Sequence, residues 1–281
     1  MKQFKFINHI AFIFTLCLAS CSMTVKDTMI VSPSKQINGE NLEQLTKVHG
    51  YSPQWLATEN GKQIYALNKR VEGQNTTLLV LHGNALNMSL QPWFGVLEAL
   101  AKTNFNILAI DYQGYGLSDG EASFSTMMND AQLAISTLNK DENVYVYGLS
   151  LGSVMATSIA NDKRVAGLII EGGITNVAEM VKLYQSRRLL GNLINVQLDN
   201  KLKFDNIAAL KGINKPILII HGEKDNNIPL SMGEALYNAS SHGLSELYSV
   251  PEGGHCDTFI KDDTNYLPRI NKFIQSVSAE R

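Results

Sequence analysis

A serine between two glycines is the first candidate for chemistry in this sequence. Residues 148–152 read Gly-Leu-Ser-Leu-Gly, directly after the apolar run 143–147, and small residues suited to a closely packed helix follow. A tight strand-to-helix turn needs glycines beside the serine, because the backbone there is crowded. Such a turn exposes the hydroxyl at the strand's end, next to a helix amino terminus that favours developing negative charge. The spacing therefore predicts Ser150 as a nucleophile.

The same five-residue pattern occurs a second time, at residues 116–120, with Ser118 in the central position. That serine lies several residues beyond the preceding apolar run 105–110, inside a glycine-containing loop, and no run of small residues follows it. We therefore interpret this second match as a structural turn, and the context favours Ser150.

A serine hydroxyl is a weak nucleophile, so it needs a general base, most often a histidine held in one tautomer by a carboxylate. His255 is the best candidate, because it follows the glycine-rich exit of the last apolar run, 247–250. We expect other histidines to be solvated or to end strands. These are His9, His49, His82, His221 and His242.

The candidate for the orienting acid is Asp225, which follows the apolar run 216–220. It gives the chain order Ser150, Asp225, His255. Glu223 is the main competitor, and Asp257 is too close to His255 in sequence to orient it easily.

Two backbone N–H groups are expected to hold the negative charge that develops on a carbonyl oxygen during acyl transfer. Leu151, just after the nucleophile, supplies one. The loop after the run 76–81 reads His82-Gly83-Asn84-Ala85, and the amide of Asn84 is the candidate for the other. His82 is expected to brace this loop.

The elements that must position these residues follow an alternating pattern. Apolar, β-branched runs alternate with stretches of helical periodicity, which predicts βαβ crossovers and a mostly parallel central sheet flanked by helices. The predicted strands cover residues 63–67, 76–81, 105–110, 143–147, 165–170, 216–220 and 247–250. The predicted helices cover 90–102, 126–138, 151–160, 232–239 and 265–277, with Pro268 favouring a start nearer its own position in the last.

The interval between residues 171 and 210 is longer than a crossover needs. It has apolar residues at helical spacing from Val177 to Tyr184 and a second apolar group at 189–196. We interpret approximately 174–208 as a small helical lid over the carboxyl ends of the strands, where α/β sheets bind ligands. The alternative is two helices that merely pack on the sheet.

The first twenty residues differ from the rest. A basic start, Lys2 and Lys5, precedes a short apolar run at 10–18, which predicts a signal peptide over residues 1–20. Leu18-Ala19-Ser20-Cys21 resembles a bacterial lipobox, and the resemblance implies lipidation at Cys21 and a membrane-anchored envelope protein. In bacterial lipoproteins, an aspartate directly after the lipidated cysteine favours retention in the inner membrane. Because Ser22 stands at that position, the resemblance implies the outer membrane rather than the inner one. An ordinary secretory signal is the alternative.

Composition limits the remaining possibilities. Residues 21–41 are polar and predict a solvated tether, so one domain is expected over 42–281. The formal net charge of −2 provides no basic stripe for nucleic acid.

With Cys17 in the signal and Cys21 lipidated, Cys256 has no partner for an internal disulfide. No spacing of histidines, cysteines or carboxylates predicts a metal site, and no cofactor is expected.

Taken together, these motifs resemble the α/β-hydrolase superfamily over nearly all of residues 42–278, and most closely its serine-aminopeptidase-like and monoacylglycerol-lipase-like branch. The resemblance is carried by His82-Gly83-Asn84 and by residues 111–120, 148–152, 222–225 and 254–255. It implies a serine hydrolase that takes a small-molecule acyl substrate, with an acyl ester as the leading class.

Three alternatives remain open at this point. The chain could be an aminopeptidase or amidase of the same fold, with Glu171 or Glu179 holding a substrate amino terminus. It could be a non-catalytic envelope lipoprotein that uses the scaffold for binding. It could also be a cofactor-free perhydrolase, in which hydrogen peroxide attacks the acyl-enzyme. The oligomeric state is left open.

Overall fold

The computed structural model describes residues 22–187 and 195–280. Within this part of the chain, eight strands form one central sheet in the order β10-β9-β7-β6-β4-β5-β3-β2. The strands from β10 to β5 are parallel to their neighbours, whereas β3 and β2 complete the sheet in antiparallel fashion. The mostly parallel sheet predicted from the sequence is confirmed.

The strands and helices lie as follows. The strands are β1 Ser22–Val25, β2 Ser52–Ala57, β3 Gln63–Lys69, β4 Thr76–Leu81, β5 Asn106–Ile110, β6 Asn143–Leu149, β7 Val165–Glu171, β8 Asn195–Leu198, β9 Ile217–Gly222 and β10 Glu246–Val250. The helices are α1 Asp27–Ile30, α2 Gly39–Lys47, α3 Trp93–Leu100, α4 Phe124–Ser136, α5 Gly152–Ile159, α6 Val177–Ser186, α7 Asn206–Lys211, α8 Leu230–Ala239, α9 Thr258–Lys261 and α10 Asp263–Ala279.

The sheet has a hydrophobic core on each face, which is why its parallel strands are continuous apolar runs. Alternate residues of β4 divide between the two cores: Leu79 and Leu81 face one, and Leu78 and Val80 face the other. Helices α4, α5 and α8 cover the first core, and α3 and α10 cover the second. This three-layer packing holds the carboxyl ends of β4, β6, β7 and β9 side by side.

Sequence patterns missed β2, the antiparallel edge strand of the sheet, although they predicted its neighbour β3. Strand β2 contains Pro53 and has only one buried residue, Leu56, so it lacks the apolar run that marks an interior strand. Helix α10 also differs from expectation, because it begins at Asp263, five residues before Pro268. A proline inside a helix lacks the N–H for one hydrogen bond and its ring crowds the preceding turn, and the packing of Ile270 and Phe273 in the core compensates for this cost.

The segment predicted to be a solvated tether lies against the domain instead. Strand β1 pairs in parallel with β8, and Val25 and Val31 are buried in the core. The amide of Asn38 donates to Ser89 at 2.9 Å. The segment is polar on average, but it buries the two valine side chains, and composition alone does not register that. The predicted signal peptide 1–20 and Cys21 lie outside the described residues.

Among the described residues, the interval predicted to be a helical lid contains α6 and β8, followed by a short 3-10 turn at Asn200–Leu202 and the first turn of α7. Its second apolar group lies mostly in residues 188–194, outside the described residues. The base of the interval is fixed to the domain, because Asn206 donates to the carbonyl of Ile174 at 2.8 Å and accepts from Thr157 at 2.6 Å. Among the described residues, no helix is both long and apolar enough to cross a membrane.

Candidate active site

Ser150 lies in a sharp turn between β6 and α5. Its φ angle is 53°, in the left-handed region that costs a residue with a side chain about 1–3 kcal/mol. The turn is closely packed on both sides: a Cβ at Gly148 would lie 2.5 Å from the carbonyl oxygen of Gly152, and one at Gly152 would lie 2.2 Å from that of Leu81. Only glycine fits at these two positions, as the sequence pattern predicts.

The structure brings Ser150, His255 and Asp225 together although they are far apart in sequence. The Nε2 atom of His255 lies 3.1 Å from the Ser150 hydroxyl, and its Nδ1 atom lies 2.7 Å from Oδ2 of Asp225. A proton on Nδ1 is donated to the carboxylate, which leaves Nε2 free to accept the serine proton. The three side chains therefore form a continuous hydrogen-bonded chain.

Asp225 is held as a carboxylate. Burial alone would raise its pKa, but the hydrogen bond and charge of His255 and the backbone N–H groups of Ile228 and Asn227 together lower the pKa below its usual value. Both N–H groups donate to Oδ1 at 2.8 Å, so each carboxylate oxygen has a partner. The competitor Glu223 is exposed, and among the described residues no hydrogen bond joins it to His255.

The two backbone amides predicted to bind an oxyanion lie beside the serine. Asn84 and Leu151 line the same cavity as Ser150 and His255. The backbone hydrogen bonds found within residues 22–187 and 195–280 use neither N–H group. The Asn84 side chain points the other way, donating to the carbonyl of Ile30 at 2.6 Å and accepting from the amide of Ser32 at 2.8 Å.

Known proteins share this architecture. A family model described as the alpha/beta hydrolase fold matches residues 76–190. Among solved structures, the Pyrococcus furiosus esterase Pf2001 superposes with a TM-score of 0.73 at 17% identity, over 88% of this chain and 98% of that one. Est1E from Butyrivibrio proteoclasticus, solved with ferulic acid, gives a TM-score of 0.62 at 16% identity, over 81% and 98%.

The chain has the α/β-hydrolase fold. The family model and these structures together support this fold. Curated relatives include the human alpha/beta hydrolase domain-containing protein 17B, 29% identical over 70% of this chain and 66% of that protein. The 17C protein of Xenopus laevis is 29% identical over 77% and 67%. The matched region thus spans about two thirds of each relative's length.

In this α/β-hydrolase fold, a cavity of about 570 Å³ opens at the serine. Its wall is mainly apolar, and no Asp, Glu, Lys or Arg side chain lines it among the described residues. Helix α6 and the amino-terminal segment contribute to this lining. Their lining residues are Met23, Val25, Met29, Ile30, Val177, Met180, Val181 and Tyr184. Sequence reasoning missed the contribution of residues 23–30, because it placed them in a tether.

Ser118, the other serine in the five-residue pattern, has a structural environment. It is fully buried, its hydroxyl donates to the carbonyl of Asp111 at 2.5 Å, and it accepts from the amide of Tyr65 at 2.8 Å. The hydrogen bond from Tyr65 fixes the loop after β5 against β3, and the one to Asp111 joins two residues within that loop. No base approaches this hydroxyl within the described part of the chain, so its role is to hold the loop.

His82 is buried beneath the loop that contains Asn84. Its Nδ1–H donates to the carbonyl of Gly83 at 2.7 Å, and its ring packs against those of Tyr112 and Tyr115. Burial lowers the pKa of His82 to about 4, so it is neutral at ordinary pH. The neutral ring packs under the loop, in agreement with a bracing role.

The carboxylates considered for binding a substrate amino terminus lie elsewhere. Glu171 is fully buried and accepts hydrogen bonds from Tyr147, Tyr266 and Thr258. Glu179 is exposed, and it does not line the cavity. No cluster of three or more His, Cys, Asp or Glu suited to a metal ion occurs within the described ranges.

Substituting Gly152 by alanine should destabilise the protein by about 3 kcal/mol, because the new Cβ would overlap the carbonyl oxygens of Leu81 and His82. Gly39→Ala is the matched control, since a Cβ there meets no atom within 4 Å and the residue is helical. Urea denaturation followed by circular dichroism measures both. Equal midpoints for the two variants would contradict the close packing of the turn.

Proposed function

We propose that this protein is a serine hydrolase that cleaves acyl esters through an acyl-enzyme intermediate. The observation that carries the proposal is the hydrogen-bonded chain from Ser150 through His255 to Asp225, which opens into an apolar cavity. One structural neighbour, the Pyrococcus furiosus protein, is an esterase, which supports the same class of reaction.

In the first half of the proposed reaction, the Ser150 oxygen attacks the substrate carbonyl while its proton passes to Nε2 of His255. The carbonyl oxygen becomes an oxyanion, and the N–H groups of Asn84 and Leu151 donate to it. When the tetrahedral intermediate collapses, the bond to the alcohol oxygen breaks and His255 returns the proton to the leaving alcohol. An ester bond between the acyl group and Ser150 remains.

In the second half, water replaces the alcohol. His255 accepts a proton from water, and the resulting oxygen nucleophile attacks the acyl-enzyme carbonyl. Collapse releases the carboxylic acid and returns the proton to Ser150. Asp225 keeps the imidazole in the required tautomer and stabilises the imidazolium in both halves.

The cavity favours an acyl chain as the group bound beside the serine. Removal of apolar surface from water stabilises binding by about 25 cal/mol per Å², and this wall provides such surface without charged side chains. An aminopeptidase needs an anionic group to bind the substrate amino terminus. The Glu171 carboxylate cannot serve, because it is buried and accepts hydrogen bonds from other residues of the protein. An esterase activity is therefore better supported than a peptidase activity.

An activated serine should react with a fluorophosphonate probe. We expect labelling of the wild type and no labelling of Ser150→Ala, because the phosphonate reacts readily only with a serine hydroxyl that a neighbouring base activates. In-gel fluorescence of the labelled protein measures this.

Ser118→Ala is the control for the second five-residue pattern, and circular dichroism verifies that each variant is folded. It should retain labelling, since Ser118 only fixes a loop. Labelling that persists in Ser150→Ala, or a folded wild type that does not react, would contradict the proposal and favour a binding module.

The acyl cavity is tested by a charge on its wall. Val181→Asp should lower kcat/KM for an eight-carbon acyl ester by about tenfold or more, because the carboxylate must be desolvated beside the chain. For an acetyl ester the change should stay within about threefold. Ala178→Asp is the matched control, since Ala178 is exposed on the same helix and does not line the cavity. Equal losses for both esters would contradict an acyl site at α6.

We also propose that Cys21 carries a lipid anchor in a bacterial cell envelope, with the outer membrane favoured over the inner. The proposal rests on the lipobox at 18–21. It fits the structure's first described residues, because Met23 lines the cavity two residues after Cys21. An anchored enzyme would then hold its acyl site within a short reach of the membrane.

Replacing Cys21 by serine in the full-length chain should release the protein from membranes, because the acylated thiol is absent. Fractionation of expressing cells followed by immunoblotting measures the distribution, with wild type and Cys256→Ser as controls. A Cys21→Ser protein that stays in the membrane fraction would contradict lipidation at this site.

A further inference from the structure

The carboxyl end of β7 touches every member of the Ser-His-Asp chain. The carbonyl of Glu171 accepts from the amide of Ser150 at 2.8 Å. A Cβ built on Gly172 would lie 3.4 Å from the His255 ring and 3.6 Å from Oδ2 of Asp225. This contact arises because β7 lies between the serine strand β6 and the aspartate strand β9.

The Glu171 side chain points into the protein behind this site. It is fully buried, and its carboxylate accepts from three hydroxyls, those of Tyr147 on β6, Tyr266 on α10 at 2.9 Å and Thr258 at 2.5 Å. Thr258 comes three residues after His255, so this hydrogen bond fixes the histidine loop to the sheet. The two tyrosine hydroxyls also lie 3.1 Å from each other.

A buried carboxylate is costly, since several kcal/mol are lost on desolvation unless a positive charge or good donors compensate. No Lys or Arg pairs with Glu171 within the described residues. Three hydroxyl donors surround an acceptor-only group, which is the arrangement that suits an ionised carboxylate.

We propose that Glu171 is a positioning residue that acts through His255. Its carboxylate fixes the loop 255–258 through Thr258 and places a second negative charge, besides Asp225, near the imidazolium that forms when Ser150 attacks. This inference rests on the proposed hydrolase reaction. It assigns part of the stabilisation of that imidazolium to a residue outside the triad.

Three hydroxyl donors surround the Glu171 carboxylate and oppose the effect of its burial. Burial raises the pKa of Glu171 above its usual value, and the hydrogen bonds of Thr258, Tyr147 and Tyr266 and the charge of His255 reduce this rise without cancelling it. The titratable groups facing Glu171 are Tyr147 from β6, Tyr248 from β10, Tyr266 from α10, and His255 and Cys256 from the loop. Those facing His255 also include Asp225 and His221 from the end of β9.

The test is the pH profile of kcat/KM for Glu171→Gln in the full chain, with a short acyl ester as substrate. Glutamine keeps the size and an acceptor oxygen but removes the charge. We expect kcat to fall by about tenfold, equivalent to about 1.4 kcal/mol. We also expect half-maximal activity on the acid side to move to lower pH by about half a unit or more, because the imidazolium loses a neighbouring anion.

A second pair of variants separates this effect from general damage to the fold. Tyr266→Phe removes one of the donors that favour the ionised form of Glu171. A smaller fraction of Glu171 should then carry a negative charge, so the acid side of the pH profile should move in the same direction by a smaller amount. Tyr145→Phe is the matched control, because this buried tyrosine donates to the carbonyl of Ile274 and does not touch Glu171. It should leave the profile in place.

The outcomes distinguish an electrostatic role of Glu171 from a purely structural one. A lower kcat with an unmoved acid side in Glu171→Gln, or equal profiles for the two tyrosine variants, would overturn the electrostatic role. Fluorophosphonate labelling of each variant distinguishes this from failure of the proposed reaction, since wild type labels in the first case and does not in the second.

Discussion

The turn at Ser150 holds a side-chain-bearing residue in a left-handed backbone conformation, with φ at 53°. The cost, about 1–3 kcal/mol, is met by the packing of its surroundings. Two glycines let β4 and α5 approach the turn closely, and the Glu171 carbonyl fixes the Ser150 amide from the neighbouring strand. The turn fixes the position of the Ser150 hydroxyl above the sheet. His255 and the oxyanion-binding amides must therefore be placed within hydrogen-bonding reach of that position.

The partners arrive at that point because parallel strands share one carboxyl edge. Asp225 follows β9, His255 follows β10, and Asn84 follows β4, so each side chain or amide needs only a short loop to reach the serine. The same edge provides the low-dielectric surroundings in which hydrogen bonds to charged groups are strong. Burial at Asp225 is offset by two amides and the imidazole, so the carboxylate remains ionised.

Much of this architecture could be predicted from the sequence. Buried parallel strands are continuous apolar runs, and the glycine-serine spacing together with the chain order of Ser150, Asp225 and His255 selected three residues that the structure brings together. The amino-terminal segment could not be predicted, because average polarity conceals the few side chains, such as Val25, that are buried. Strand β8 was missed for a related reason: it is short, and its pairing partner β1 lies far away in sequence.

Glu171 shows a further limit of sequence reasoning. As a carboxylate at the end of a predicted strand, it could equally have faced the substrate, and it was considered for that role. Only the three-dimensional structure shows that Tyr147, Tyr266 and Thr258 surround it. These partners are separated from it by 24, 95 and 87 positions, so no local pattern could reveal them.

The most direct test of the central claim is detection of the covalent intermediate. The full-length protein is mixed with an activated nitrophenyl ester, quenched in acid within milliseconds to seconds, digested, and analysed by mass spectrometry. If Ser150 is the nucleophile, we expect a peptide that carries the acyl group on Ser150 and appears together with a burst of nitrophenol. A burst with the acyl group on another residue, or turnover of the ester without any acylated peptide, would contradict it.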